Sequence, residues 1–262
     1  LKVQEYNIDI DVVEPNQAAT LLSKKRNEEI DSELQINYHE SIQDLHGQYE
    51  AIIISTNSNH RIEIIIELLS KVEVKVLILE KVVFQSIEEF KTLEEVLKGK
   101  EIQVFVNHPR RMYPYYQELK RELKKSNETI SHIHILGNDW GLACNGLHFI
   151  DLASFLMDKL PLSISNHHLE EIMPSKRPGY IEFTGHLWVH YDKQSSLLLS
   201  SLKGENKATS IEIICAQHKF HIEEGGRAII SRFKNSKWLS DTPIKTPFQS
   251  ELTTYLIEDI LN

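Results

Sequence analysis

The sequence predicts an α/β protein in two parts. A parallel-sheet domain over residues 1–112, expected to be incomplete, precedes an α+β domain over 113–262 with a large open, mostly antiparallel sheet. Three observations carry this. In the first half, apolar runs such as 51–55 (AIIIS) and 74–79 (VKVLIL) alternate with helix-like stretches and lack period-two alternation, the mark of strands covered on both faces. From Ser163 onward, strand-like segments follow one another with turn residues between them. The composition, 41% hydrophobic and 26% charged over 262 residues, is that of a globular chain with ample core.

The elements follow in order. Residues 8–13 (IDIDVV) read as a strand, and Pro15 opens a helix to about Lys25. Strands at 34–38 and 51–55 come next. Ile62, Ile65, Ile66 and Leu69 then form one face of a helix over 59–70. After the strand at 74–79, Ser86-Ile-Glu-Glu89 is a capping box for a helix whose face is Ile87, Phe90, Leu93 and Leu97. A strand at 102–106 and a helix at 114–125 complete the βα rhythm. The second half holds a strand at 130–136, one helix over about 146–158, strands at 163–170, 180–191, 196–202, 209–215, 218–223 and 227–234, and a closing helix at 249–261.

Composition excludes several classes. A net charge of −9 argues against a general binder of nucleic acid or membrane surfaces. Two cysteines, Cys144 and Cys215, exclude a disulfide scaffold and a Cys-rich zinc module. No apolar run reaches the roughly 18 residues of a membrane span, and the opening LKVQEYNIDI lacks the apolar run of a secretory signal. A cytoplasmic location is therefore expected. The histidine pairs His132/His134, His167/His168 and His218/His221 lack an evident third ligand, so no metal site is expected.

Four local patterns line up along the chain. Glu14 ends a strand and is followed by Pro and Asn. Ser55-Thr56-Asn57-Ser58-Asn59-His60 opens a helix. Glu80-Lys81-Val82 ends a strand about 20 residues on. Gly146-Leu147-His148-Phe149-Ile150-Asp151 comes early in the second domain. With Arg110-Arg111 and Pro114 between the last two, this order resembles the Gfo/Idh/MocA family of NAD(P)-dependent sugar oxidoreductases. The stretch from Trp140 to His148 is similar to a branch found with surface-polysaccharide sugar biosynthesis.

The resemblance implies a Rossmann-like first domain, a nicotinamide cofactor and a sugar or nucleotide-sugar substrate. It implies a homodimer or homotetramer through the second-domain sheet. Lys81 matches the family's catalytic Lys, a cation able to orient a substrate oxygen and stabilise developing negative charge. His148 matches the family's His, which takes the hydroxyl proton or holds the substrate. Ser55, Thr56, Asn57, Asn59, His60 and Glu80 match the stretches beside the cofactor. Glu14 matches the acidic position on the adenosine ribose, and its charge favours NAD over NADP by repelling a 2′-phosphate. Arg110, Arg111, Cys144, Asn145 and Asp151 fall on the substrate side. Each position also has a plainer reading. Glu14 suits an ordinary helix start, and Lys81 is an apt ion-pair partner for Glu80. Arg110 and Arg111 suit a solvated turn, and Cys144 and His148 suit core positions.

Three departures from the family pattern set further expectations. Cys144 stands where the motif has Asp four residues before the His, which leaves His148 without that carboxylate. Val82 stands where the family has Pro. A cis bond there costs about 2.5–4 kcal/mol without proline, so the loop is expected to relax and shift Lys81. No glycine precedes Gly47, so the Gly-rich turn that meets a pyrophosphate is absent. In the strand order 3-2-1-4-5-6 the absent strand is the central one. Its loss would leave open edges at about 1–3 kcal/mol per buried unsatisfied group. The sequence is therefore expected to be a fragment of a longer chain, with Pro247-Phe-Gln-Ser250 and its helix resembling the family's penultimate element. The alternative reading is a catalytically silent relative that acts as a sugar-binding or assembly protein.

Overall fold

The computed structural model describes residues 8–29, 35–204, 209–232, 237–248, 251, 252 and 256. The chain divides into two compact units between Asn107 and His108. The expected division at 112/113 falls at the end of the short helical turn Pro109–Met112.

The first unit runs β1 (Asp9–Val13), α1 (Gln17–Glu28), β2 (Gln35–His39), β3 (Gln48–Ile54), α2 (Arg61–Lys71), β4 (Glu73–Glu80), α3 (Ile87–Leu97) and β5 (Gln103–Asn107). Local chemistry sets the helix starts. Asn16 caps α1 by accepting from the amides of Ala18 and Ala19. Ser86 and Glu89 form the expected reciprocal box at α3, with Glu89 accepting from the Ser86 amide at 2.8 Å. β4 lies at the centre of a parallel three-stranded sheet, β3-β4-β5. Its successive residues Leu77, Ile78 and Leu79 are all buried, which requires cover on both faces and accounts for the unalternating apolar run.

β1 and β2 pair in parallel as a separate two-stranded sheet. In a 3-2-1-4-5-6 sheet these would be strands 2 and 3, and β3-β4-β5 would be strands 4, 5 and 6. The break between β1 and β3 therefore falls where the central strand of that order would run. Across the break the Tyr49 hydroxyl donates to the Asp11 carboxylate at 2.7 Å. Asp11 also accepts from Asn37 at 3.0 Å and meets the His39 ring at 3.1 Å.

The hydrogen bonds from Tyr49 and then His39 hold the Asp11 carboxyl below its ordinary value of 3.8, while burial and Asp11 push the Tyr49 phenol up to about 12. A depressed carboxyl contributes stability that is present above the ordinary value and lost as pH falls through the lowered one. Tyr49→Phe is expected to move acid unfolding of this unit to higher pH, by a small amount because the cluster is solvent-screened. Far-UV circular dichroism against pH checks it; an unchanged acid midpoint would contradict it.

The second unit runs α4 (Pro114–Lys125), β6 (Ile130–Asn138), α5 (Leu142–Met157), β7 (Ser163–Pro174), β8 (Ile181–His190), β9 (Ser196–Leu202), β10 (Ser210–Cys215), β11 (His218–Glu223), β12 (Arg227–Arg232) and β13 (Lys237–Pro243). The ten elements build one eight-stranded sheet, β13-β12-β11-β10-β6-β9-β8-β7, with α5 packed on it and α4 against α5. Every neighbouring pair is antiparallel except β6 and β9, which run parallel. Ile133, Ile135, Leu197, Leu199, Ile211, Ile213, Phe220 and Ile222 point to the α5 side and meet Phe149 and Leu152 in one core. The fold is the expected one, parallel strands first and a large mostly antiparallel sheet second. β13 is an addition: its sequence, KWLSDTP, has little apolar alternation, and its place at the sheet edge asks for little. The expected helix at 249–261 lies almost wholly outside the described residues.

α5 begins four residues before the expected Gly146. Gly141 precedes it at φ +78°, a conformation suited to glycine. The carboxylate of Glu182, on β8, then accepts from the amides of Ala143 at 2.8 Å and Cys144 at 3.2 Å. A remote strand thus supplies the anion that satisfies the helix start. Glu182→Ala is expected to cost about 1 kcal/mol, read as a lower urea midpoint by tryptophan fluorescence; a midpoint equal to wild type would remove this role. Among the described residues no helix is long and apolar enough to cross a membrane.

Candidate functional site

In the first unit the expected residues gather at the carboxyl ends of the strands, where open α/β sheets bind ligands. Ser55, Thr56 and Asn57 leave β3, and the turn Ser58–His60 leads into α2. All of these but Ser58 have exposed side chains. Ser58 is buried and accepts a hydrogen bond from Gln85 at 3.3 Å. Glu80 and Lys81 leave β4. The Glu80 carboxylate accepts from Asn107, at the end of β5, at 2.6 Å. Glu14 directly follows β1 and accepts from the Asn16 amide at 2.8 Å, so one of its oxygens already serves the start of α1.

The Lys81–Val82 peptide bond is cis although residue 82 is valine. The loop that was expected to relax is tied down by a buried side chain, that of Arg61, 2% exposed. Its Nη1 donates to the carbonyls of Glu80 at 2.5 Å, Val82 at 2.6 Å and Val83 at 2.9 Å. Its Nη2 donates to the Thr56 carbonyl. One planar guanidinium thus ties the Glu80–Val83 loop to the Thr56 loop, the two segments that carry the candidate cofactor and catalytic residues. Sequence reasoning passed over Arg61. A signal existed: a cation in the first turn of a helix opposes the macrodipole and needs a reason to be there.

These residues fit part of a dinucleotide. An exposed polar stretch at strand ends, a lysine on a loop held by Arg61 and an acidic residue just after β1 suit the ribose and nicotinamide ends. The phosphates need a glycine-lined helix start, and the described residues of this unit hold none.

In the second unit His148 lies on α5, 7% exposed. Its Nδ1 lies 3.2 Å from Nδ1 of His108, and the two rings meet edge to face with centroids 5.2 Å apart. Cys144 sits one turn before His148. Asn145 is turned back to the helix start and donates to the Trp140 carbonyl at 2.5 Å. Arg111 grips Asp151 through both Nε, at 2.9 Å, and Nη2. Arg110 grips Glu224 through two hydrogen bonds of 2.8 Å, with its plane over Phe149 and the Tyr116 hydroxyl on the same carboxylate. These forks resemble the bidentate pairs that hold a fold together, and they bring Asp151 beside Arg111 as two neighbouring candidates. Among the described residues no group of three His, Cys, Asp or Glu side chains could hold a metal ion. Cys215 is buried, and burial pushes its thiol up to about 12.

No family model matches the chain, and no curated protein matches it in sequence. Solved structures match it over nearly its whole length. A dehydrogenase (MviM) from Clostridium difficile matches at 15% identity and TM-score 0.64, covering 98% of this chain and 89% of its own. An NAD binding oxidoreductase from Klebsiella pneumoniae matches at 9% identity and TM-score 0.67, covering 95% and 79%. The super-repressor mutant of Gal80p from Saccharomyces cerevisiae matches at 12% identity and TM-score 0.68, covering 96% and 74%. The likeness is one of fold.

Proposed function

We propose that this chain belongs to a nicotinamide-dependent oxidoreductase that acts on a hydroxyl or keto group of a sugar or nucleotide-linked sugar. The observation that carries the reading is the Lys81 loop. It sits at the carboxyl end of the buried strand β4 and is tied by Arg61 to the Thr56 loop. The motif order that resembles the Gfo/Idh/MocA family supports it, as does the likeness in fold to a dehydrogenase and an NAD binding oxidoreductase.

The nicotinamide, when bound, supplies the hydride acceptor. Lys81 orients the reacting oxygen and stabilises negative charge as it develops there. His148 takes the hydroxyl proton. Ser55, Thr56, Asn57, Asn59, His60 and Glu80 line the cofactor, and Glu14 receives the adenosine ribose, which selects NAD over NADP. Arg110, Arg111, Cys144, Asn145 and Asp151 shape the substrate side. The face of the large sheet opposite α5, with the partly exposed Leu136 and Trp188, pairs with a second copy in a homodimer or homotetramer. The location is the cytoplasm.

Fluorescence titration of the full-length protein with NADH tests the reading. Saturable binding together with sugar-dependent NADH formation supports it, and the absence of binding overturns it. A second reading, a catalytically silent relative that binds a sugar or assembles with other proteins, is favoured by Cys144 in place of the motif's Asp and by the likeness to Gal80p.

A further inference from the structure

Cys144 raises a specific problem for His148. An imidazole that takes a proton on one nitrogen works best when a hydrogen-bond acceptor holds the other nitrogen as N–H, since that bond selects the tautomer. A thiol one turn away is a weak acceptor. The structure offers another partner. His108, directly after β5 and before Pro109, brings its Nδ1 to 3.2 Å from Nδ1 of His148. Two nitrogens at that distance share one proton: one ring donates N–H and the other accepts on its lone pair.

We propose that His108 is a positioning residue for His148, accepting the Nδ1–H of that ring and so leaving the lone pair of His148 on Nε2. The assignment rests on the reading of His148 as the proton acceptor. The opposite arrangement would put the proton on Nε2 and leave that nitrogen nothing to accept with. The balance is simple. A substrate O–H bond breaks, an Nε2–H bond forms, and the ring becomes an imidazolium whose Nδ1–H still points at a neutral imidazole. His148 is buried and His108 only half-buried, so the hydrogen bond leads the new charge toward the more solvated ring. The edge-to-face ring contact fixes both planes. Nothing in the motif order points to position 108; the pairing follows from the turn Pro109–Met112 packing against α5.

The test is the tautomer itself, read on uniformly nitrogen-15-labelled full-length protein by two-bond proton–nitrogen correlation, with His148→Gln assigning the signal. The expected result is the Nδ1–H form of His148 in the wild type. His108→Leu should shift it toward the Nε2–H form. His108→Asn, whose amide oxygen can accept the same proton, should restore it, and this variant also stands in if His108→Leu fails to fold. An Nε2–H form in the wild type, or a tautomer indifferent to residue 108, overturns the proposal. NADH titration of the same samples separates the two ideas. A wild type that binds no NADH but shows the expected tautomer supports the pairing and overturns the oxidoreductase reading.

Discussion

Replacing Lys81 by methionine is expected to lower kcat on the order of a thousandfold while leaving NADH affinity within about twofold. The loss falls on turnover because, in the proposed function, the ammonium acts on charge that develops at the reacting oxygen. Methionine keeps the length and apolar stem of lysine and removes only that charge. The position is a rigid one. Lys81 follows three buried residues of the central strand β4 and sits within a loop whose carbonyls at 80, 82 and 83 are held by Arg61. Lys81→Arg keeps a charge but presents a planar fork in place of a compact ammonium, so it should recover only part of the activity. Steady-state kinetics paired with fluorescence titration of the full-length protein separates turnover from binding. A methionine variant within tenfold of wild type would remove Lys81 from the chemistry.

Arg61→Ala should destabilise the first unit by on the order of 3 kcal/mol. Three carbonyls share the two hydrogens of Nη1 and a fourth receives Nη2. Alanine leaves those acceptors in a buried space with nothing to bond, and it unties the Thr56 loop from the Lys81 loop. Arg61→Lys should cost less, since an ammonium satisfies one loop but cannot span both with a planar fork. Tryptophan fluorescence is blind to this change, because Trp140, Trp188 and Trp238 all belong to the second unit. Amide exchange at Leu77, Ile78 and Leu79 of β4, with far-UV circular dichroism in urea, reports it. A loss below about 1 kcal/mol would mean that the carbonyls find other donors.

Much of the fold could be read in advance because its signals are local. The Ser86–Glu89 box, the α4 span at 114–125 and the strands at 196–202 and 218–223 sit where spacing and turn residues put them. The limits of the reading are non-local. α5 starts at Leu142 because Glu182, 40 positions later on another strand, satisfies its amides. β13 pairs at an edge on backbone hydrogen bonds that impose little side-chain pattern. The Lys81 loop holds its cis bond beside an arginine that lies 20 positions upstream of Lys81. In each case the deciding partner is brought close by the fold and leaves no periodic trace near the residue it serves.

Local amino-acid order by itself determined most of the strands and helices and the parallel-then-antiparallel division, while Lys81 and His148 stood out only through the motif order that resembles a known family. Periodicity, capping residues and turn residues act over a few positions and are written along the chain. The tertiary structure alone decided who those residues meet: Arg61 on the loops around Lys81, His108 on His148, and Glu224 on Arg110. Hydrogen bonds of this kind depend on distances of about 3 Å between groups far apart in sequence, and only the folded chain sets those distances.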